Sequence, residues 1–194
     1  MAELSRSALH GVLRPGRGGA AGAAGVRIAE QRDLSIVQIS VFPGAAGDTA
    51  ALEAFLGMTL PKPGKSDAAG PRVILWVGPG RWLVVEPGRT NLAAALDRAA
   101  QGRVAITDLS HARTVLRLSG PSVRDVIAQG CAIDMHPRAA MPGDCFVTAL
   151  ARHSTVLHIV DAATADVYVY RSFGQDLLEW LLEAAAPYGY ETVD

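Results

Sequence analysis

The sequence predicts an α+β fold, with antiparallel or mixed sheets and helices packed on one face. Three observations carry this expectation. Short runs of alternating apolar residues recur between residues 34 and 170, several of them joined by tight turns bearing glycine or proline. Four amphipathic stretches with stop glycines alternate with those runs, the fourth following the last of them. The 194 residues are 49% apolar and 19% charged, a composition that supports a globular core rather than disorder.

Residues 1–25 are glycine-rich and lack apolar periodicity, which predicts an extended or flexible N-terminal arm. Residues 26–194 predict a single α+β domain, with 26–110 and 111–194 as candidate pseudo-related halves. Strands are expected at 34–42, 72–77, 82–85, 103–108, 113–119, 145–151, 155–160 and 166–170. Within 113–119, Thr114, Leu116 and Leu118 share one face, while Arg113, Val115 and Arg117 share the other. That alternation predicts a half-exposed sheet.

The first helix takes Asp48 as cap, a Leu52, Phe55 and Leu56 stripe, and Gly57 as stop. Thr90 caps the second, which carries Leu92, Leu96 and Ala99 and ends at Gly102. Pro121 suits the first turn of the third, with Val123, Val126 and Ile127 inward before Gly130. Ser172 and Gln175 form a capping box for the fourth, whose Phe173, Leu177, Trp180 and Leu181 make one stripe closed by Pro187 and Gly189. Segments 82–108 and 113–186 each read as a split β-α-β unit.

A net charge of −1 gives no reason to expect nucleic acid or a membrane surface as partner. No apolar run approaches the roughly 20 residues of a membrane span. Two cysteines, Cys131 and Cys145, do not make a disulfide framework, and a cytoplasmic location with reduced thiols is expected. Charge is uneven along the chain. Five arginines face two glutamates in residues 1–32, whereas five acids and no Lys or Arg follow Gly174.

No constellation amounts to an active site. The Trp76-Val-Gly-Pro-Gly-Arg-Trp82 segment lacks phosphate-loop spacing and reads as a tight hairpin flanked by two packed indoles. Asp108, Ser110 and His111 have the residue types of a triad, but triad members normally come from separate segments. Asp108 pairing with His111 or Arg113 to hold the strand entry is the preferred role. Cys131, His136 and Cys145 match no common zinc spacing, and Cys131 beside His136 is a weak nucleophile candidate. Arg171, after Tyr168-Val-Tyr170, is placed to grip a carboxylate, to stack on a ring or to stand solvated. The residues therefore favour a binding or assembly role over independent catalysis.

Several blocks, in order, resemble one family. They are Ile74-Leu-Trp-Val-Gly-Pro-Gly-Arg-Trp-Leu83, the run from Asp108 to Pro121, Gly130-Cys-Ala-Ile-Asp-Met-His-Pro137, Pro142-Gly-Asp-Cys145 and Arg171-Ser-Phe173. Together, over residues 26–188, they resemble the gamma subunit of heterotetrameric sarcosine oxidase. The resemblance implies a fold similar to the folate-binding domain of the aminomethyltransferase of glycine cleavage. It implies an accessory, non-catalytic subunit, so that whether the isolated chain is an enzyme stays open. The family's complex converts sarcosine, tetrahydrofolate and oxygen to glycine, methylene-tetrahydrofolate and hydrogen peroxide. FAD, FMN, NAD, zinc and tetrahydrofolate are then expected on the alpha, beta and delta subunits, with none on this chain. The candidate contacts it suggests are Trp76, Arg81, Trp82, Asp108, His111, Arg113, His136 and Arg171. The alternative is a free-standing folate-binding or one-carbon-transfer protein of the same fold.

Overall fold

The computed structural model describes residues 6–42, 49–88 and 90–193. Among them the chain forms β1 (Gly16–Gly18), β2 (Val26–Gln31), β3 (Leu34–Val41), α1 (Ala50–Leu56), β4 (Ser66–Ala69), β5 (Arg72–Gly78), β6 (Arg81–Pro87) and α2 (Leu92–Ala100). It continues through β7 (Val104–Asp108), β8 (Arg113–Ser119), α3 (Val123–Ala128), β9 (Cys145–Leu150), β10 (His153–Asp161), β11 (Thr164–Tyr170), α4 (Gly174–Ala185) and β12 (Tyr190–Val193). Contacts divide it into two units. The first holds residues up to Arg32, Arg113–Pro142 and those from Thr148 onward; the second holds Asp33–Ala112 and Gly143–Val147.

In the second unit the sheet runs β4-β5-β6-β3-β7, antiparallel throughout. The β3-α1-β5 passage skips one place, and β6 returns to fill it. This is a split β-α-β unit. Its wiring begins at Leu34, well before the segment the sequence suggested, because β3, an interior strand of the sheet, comes first in the chain. Val37, Ile39, Ile74, Val84 and Val104 pack one sheet face against Leu52, Leu56, Leu92 and Leu96 of the two helices.

The first unit repeats this wiring with one insertion. Its sheet runs β1-β12-β2-β8-β11-β10-β9, so β2 lies where β8 and β12 would otherwise pair. β2 is parallel to β12 and antiparallel to β8. The two helices of this unit meet where α3 ends. Gln129 Nε2 donates to the Ala184 carbonyl at 2.9 Å, and a Cβ at Gly130 would stand 2.4 Å from the Trp180 indole. Only glycine admits that approach.

Several expectations shift on contact with the structure. Strand β2 alternates as Val26, Ile28 and Glu30 inward with Arg27 outward, yet its buried carboxylate obscures the apolar pattern. Strands β1, β4 and β12 are too short or too polar to announce themselves. On β8 the arginine side meets solvent in part, with the Arg117 side chain 41% exposed but Val115 only 2% exposed. Val115 lies beside Tyr168 of β11, itself buried, and the ring shields it.

The helix starts also differ. Asp48, the expected cap of α1, lies outside the described residues, and Thr49 is the N-cap. Phe55 points outward at 44% exposure while Leu52 and Leu56 are buried, since a seven-residue helix offers the sheet only one i, i+4 pair. Asn91, not Thr90, is the N-cap of α2; the Thr90 hydroxyl donates to Glu86 Oε1 at 2.6 Å instead. Gly57, in the left-handed region, does stop α1. The capping box of Ser172 and Gln175 does not form. Residues Arg171–Phe173 make a 3₁₀ turn, α4 starts at Gly174, and Gln175 pairs with Glu179 at 2.8 Å. The extra turn also rotates Phe173 out of the helix stripe.

Candidate functional site

A ladder of ionisable side chains crosses three neighbouring strands of the first unit. Arg117 on β8 faces Asp166 on β11, which in turn faces His158 on β10. The guanidinium donates twice, Nε to Oδ1 and Nη2 to Oδ2, both at 2.7 Å. Such a fork holds geometry as well as charge. Asp166 is 4% exposed, so its carboxylate needs that cation. The same contact raises the arginine pKa, outweighing the effect of burial. Sequence reasoning missed Asp166 and His158. The available signal was a carboxylate in the middle of an otherwise β-prone run, Thr164-Ala-Asp-Val-Tyr-Val-Tyr170, where Asp is disfavoured.

Burial lowers the His158 pKa from 6.5; Asp166 opposes the shift and Arg117 adds to it. The neutral ring is thus the folded form. Below pH 6.5 the unfolded chain takes up a proton that the folded one resists, so stability is full above that pH. It is lost as pH falls toward the lower folded pKa. Urea denaturation of the wild type between about pH 7.5 and about pH 5 is expected to show this loss, and His158→Gln is expected to remove this component. An unchanged slope in the variant would exclude His158 as its source.

At the end of the same strands, Arg113 and Tyr170 are cross-strand neighbours. The guanidinium carbon lies 3.9 Å from the centre of the phenol ring, a cation–π contact. Arg113 Nε is buried and has no hydrogen-bond partner among the described residues. Burial lowers the pKa of this arginine, with Tyr170 acting in the opposite sense. Arg171 donates from Nη2 to the Arg6 carbonyl. Phe173 stacks on His153 with ring centres 5.0 Å apart, and His153 Nε2 lies 2.7 Å from Asp176 Oδ2.

The remaining candidates lie elsewhere. Trp76 and Trp82 are cross-strand partners on the β5–β6 hairpin, and the Trp82 indole donates to the Pro61 carbonyl at 2.9 Å. Pro79-Gly80 forms the turn, with Gly80 at φ +66, as the second central position of a type II turn requires. The Arg81 guanidinium folds over Gly78, where a Cβ would meet Nη2 at 2.9 Å. Asp108 accepts from Ser110 N at 2.9 Å and from Ser110 Oγ at 2.6 Å, while Ser110 Oγ accepts from Ile36 N at 3.0 Å. This turn seats the strand entry on β3. His111 is exposed in the following link. His136 is exposed in a separate turn, its Nδ1 accepting from Arg138 N at 3.2 Å. The eight candidates thus divide into a hairpin group (Trp76, Arg81, Trp82), a turn pair (Asp108, His111), a strand-end pair (Arg113, Arg171) and His136.

Among the described residues no group of three or more His, Cys, Asp or Glu side chains is placed to hold a metal ion. Cys145 donates to the Trp76 carbonyl at 3.3 Å, and burial, with Asp144 beside it, pushes its thiol up to about 12. A thiol held protonated is neither ligand nor nucleophile. Two cavities of about 260 and 210 Å³ in the first unit lie beside Arg17 and Tyr190, and neither is lined by a carboxylate.

A model of the sarcosine oxidase, gamma subunit family matches residues 43–187. The chain belongs to that family. Among its gamma-subunit relatives, sarcosine oxidase subunit gamma of an Arthrobacter species is 34% identical over 160 residues, covering 81% of this chain and 78% of the relative. Subunit gamma of Corynebacterium sp. strain P-1 is 31% identical, covering 87% and 84%. A chain of the heterotetrameric sarcosine oxidase of Corynebacterium sp. U-96, solved with pyrrole 2-carboxylate, superposes with a TM-score of 0.85 at 26% identity, covering 96% and 97%. Aminomethyltransferase T of the glycine cleavage system from Bartonella henselae shares the fold, with a TM-score of 0.65 at 15% identity, over 88% of this chain and 48% of that one. Among the described residues, no helix of this gamma-family chain is long and apolar enough to cross a membrane.

Proposed function

We propose that this chain is the gamma subunit of a cytoplasmic heterotetrameric sarcosine oxidase and acts through its surfaces, in assembly, rather than as a catalyst. The observation that carries this reading is the likeness to one chain of such a heterotetramer over nearly the whole of both chains. In this reading the alpha, beta and delta subunits hold FAD, FMN, NAD, zinc and tetrahydrofolate. The complex oxidises sarcosine with oxygen to glycine and hydrogen peroxide and passes the one-carbon unit to tetrahydrofolate. Trp76, Arg81, Trp82, Asp108, His111, Arg113, His136 and Arg171 are the contact candidates, of which the strand-end arginines carry the most distinctive chemistry.

Expression of the chain alone and with the three other subunits tests the proposal. The isolated chain is expected to be colourless, inactive with sarcosine and silent in calorimetric titration with tetrahydrofolate. With its partners present it is expected to co-purify in the complex. A yellow, active monomer overturns the reading, and tight tetrahydrofolate binding by the lone chain replaces it with a folate-binding role.

A further inference from the structure

We propose that the corner made by Tyr170, Phe173 and the Arg113 guanidinium is the docking surface for a carboxylate-bearing segment of a partner subunit. The proposal rests on the assembly reading above and adds to it the place and the chemistry of one contact.

The first observation is an uncompensated cation. Elsewhere in this unit Arg117 is neutralised by Asp166, Arg32 by Glu30 at 3.0 Å, and the half-buried Arg124 is held by the carbonyls of Ala162, Met135 and Ala140. Arg113 is half-buried, stacks on Tyr170, and has no carboxylate partner among the described residues. A charge taken out of water without a counter-charge is costly. Arg171, next along the chain, also has no carboxylate partner among them, since it donates to a backbone carbonyl. The nearby carboxylate of Asp176 is engaged by His153. Among the described residues, two guanidinium groups therefore flank Tyr170 without an acid.

The second observation is apolar. Tyr170 and Phe173 are each 44% exposed. They are three residues apart across a 3₁₀ turn, where positions i and i+3 stand on one side. Phe173 is backed by the His153 ring and Tyr170 by Arg113, so neither is free to collapse. Rigid aromatics beside arginine are the composition of interface hot spots. The net positive charge of the corner selects an acidic segment over a basic one. The outward-facing rings favour a protein surface over a small free carboxylate.

The test uses the full chain and the other subunits of the complex. Arg113→Gln is expected to weaken association by roughly tenfold or more and to flatten its dependence on salt. Phe173→Ser, at an exposed position, is expected to weaken association by a similar factor with an unchanged melting temperature, which keeps the test independent of folding. With p-benzoylphenylalanine at position 173, irradiation of the complex is expected to cross-link a peptide of another subunit that contains Asp or Glu. Wild-type affinity in both variants, or cross-links only to a second copy of this chain, overturns this inference alone. Failure of the wild-type chain to associate with the other subunits overturns the assembly reading as well.

Discussion

Arg117→Met is expected to destabilise the chain by about 3–5 kcal/mol, because it strands a buried carboxylate without its cation. The carboxylate concerned, Asp166, is 4% exposed and receives both guanidinium bonds at 2.7 Å. For a chain of this length the melting temperature is expected to fall by roughly 6–20 °C. The double variant R117M/D166L removes both charges and is expected to recover most of the loss, since apolar groups of similar size can replace a buried pair. Urea denaturation of the four members of the cycle measures the coupling. Near-neutral behaviour of R117M would mean that Asp166 has another source of compensation. The His158 titration offers a second readout. Arg117 lowers the His158 pKa, so R117M is expected to raise it.

Leu9→Ala is expected to cost about 2–5 kcal/mol, the range of a core leucine. Leu9 is 0% exposed, although its neighbours in sequence are mostly small and polar. Its backbone is held on both sides. Leu9 N donates to Ser7 Oγ at 2.9 Å, and its carbonyl accepts from Val12 N and Leu13 N, each at 3.0 Å. The Ser7 hydroxyl in turn binds Glu30, the buried acid of β2. Val12→Ala, at a position 37% exposed, serves as the control and is expected to change stability by less than about 0.5 kcal/mol. A Leu9→Ala effect as small as that of Val12→Ala would show that this segment contributes little to the fold.

The local features of this chain were legible because they are local. Strand β8 is written as alternation over seven residues, and the predicted span 113–119 is the observed one, Arg113–Ser119. The Pro79-Gly80 turn follows from two residue types that leave the backbone little choice. The α+β class, the stop at Gly57 and the ordered blocks of family resemblance belong to the same kind of information. Helix starts were less legible, since Thr90 and Ser172 had competing uses. One hydroxyl was drawn to Glu86, and the other residue was absorbed into a 3₁₀ turn.

The strand-end corner stands between these cases. Arg113 and Arg171 were visible as charges beside an aromatic strand, but their distance from one another was not. Register alone brings Arg113 across from Tyr170, 57 positions later.

By itself the sequence determined the class of fold, the outline of its central strands and the family. Side-chain periodicity and turn chemistry act over a few residues, and motif blocks persist in order. Only the tertiary structure decided that β2 enters between β8 and β12, that Arg117 meets Asp166 49 residues away, and that Leu9 is buried. Those outcomes depend on which strands pair and in what register. Pairing balances burial and charge compensation over the whole sheet, and no short stretch of residues encodes that balance.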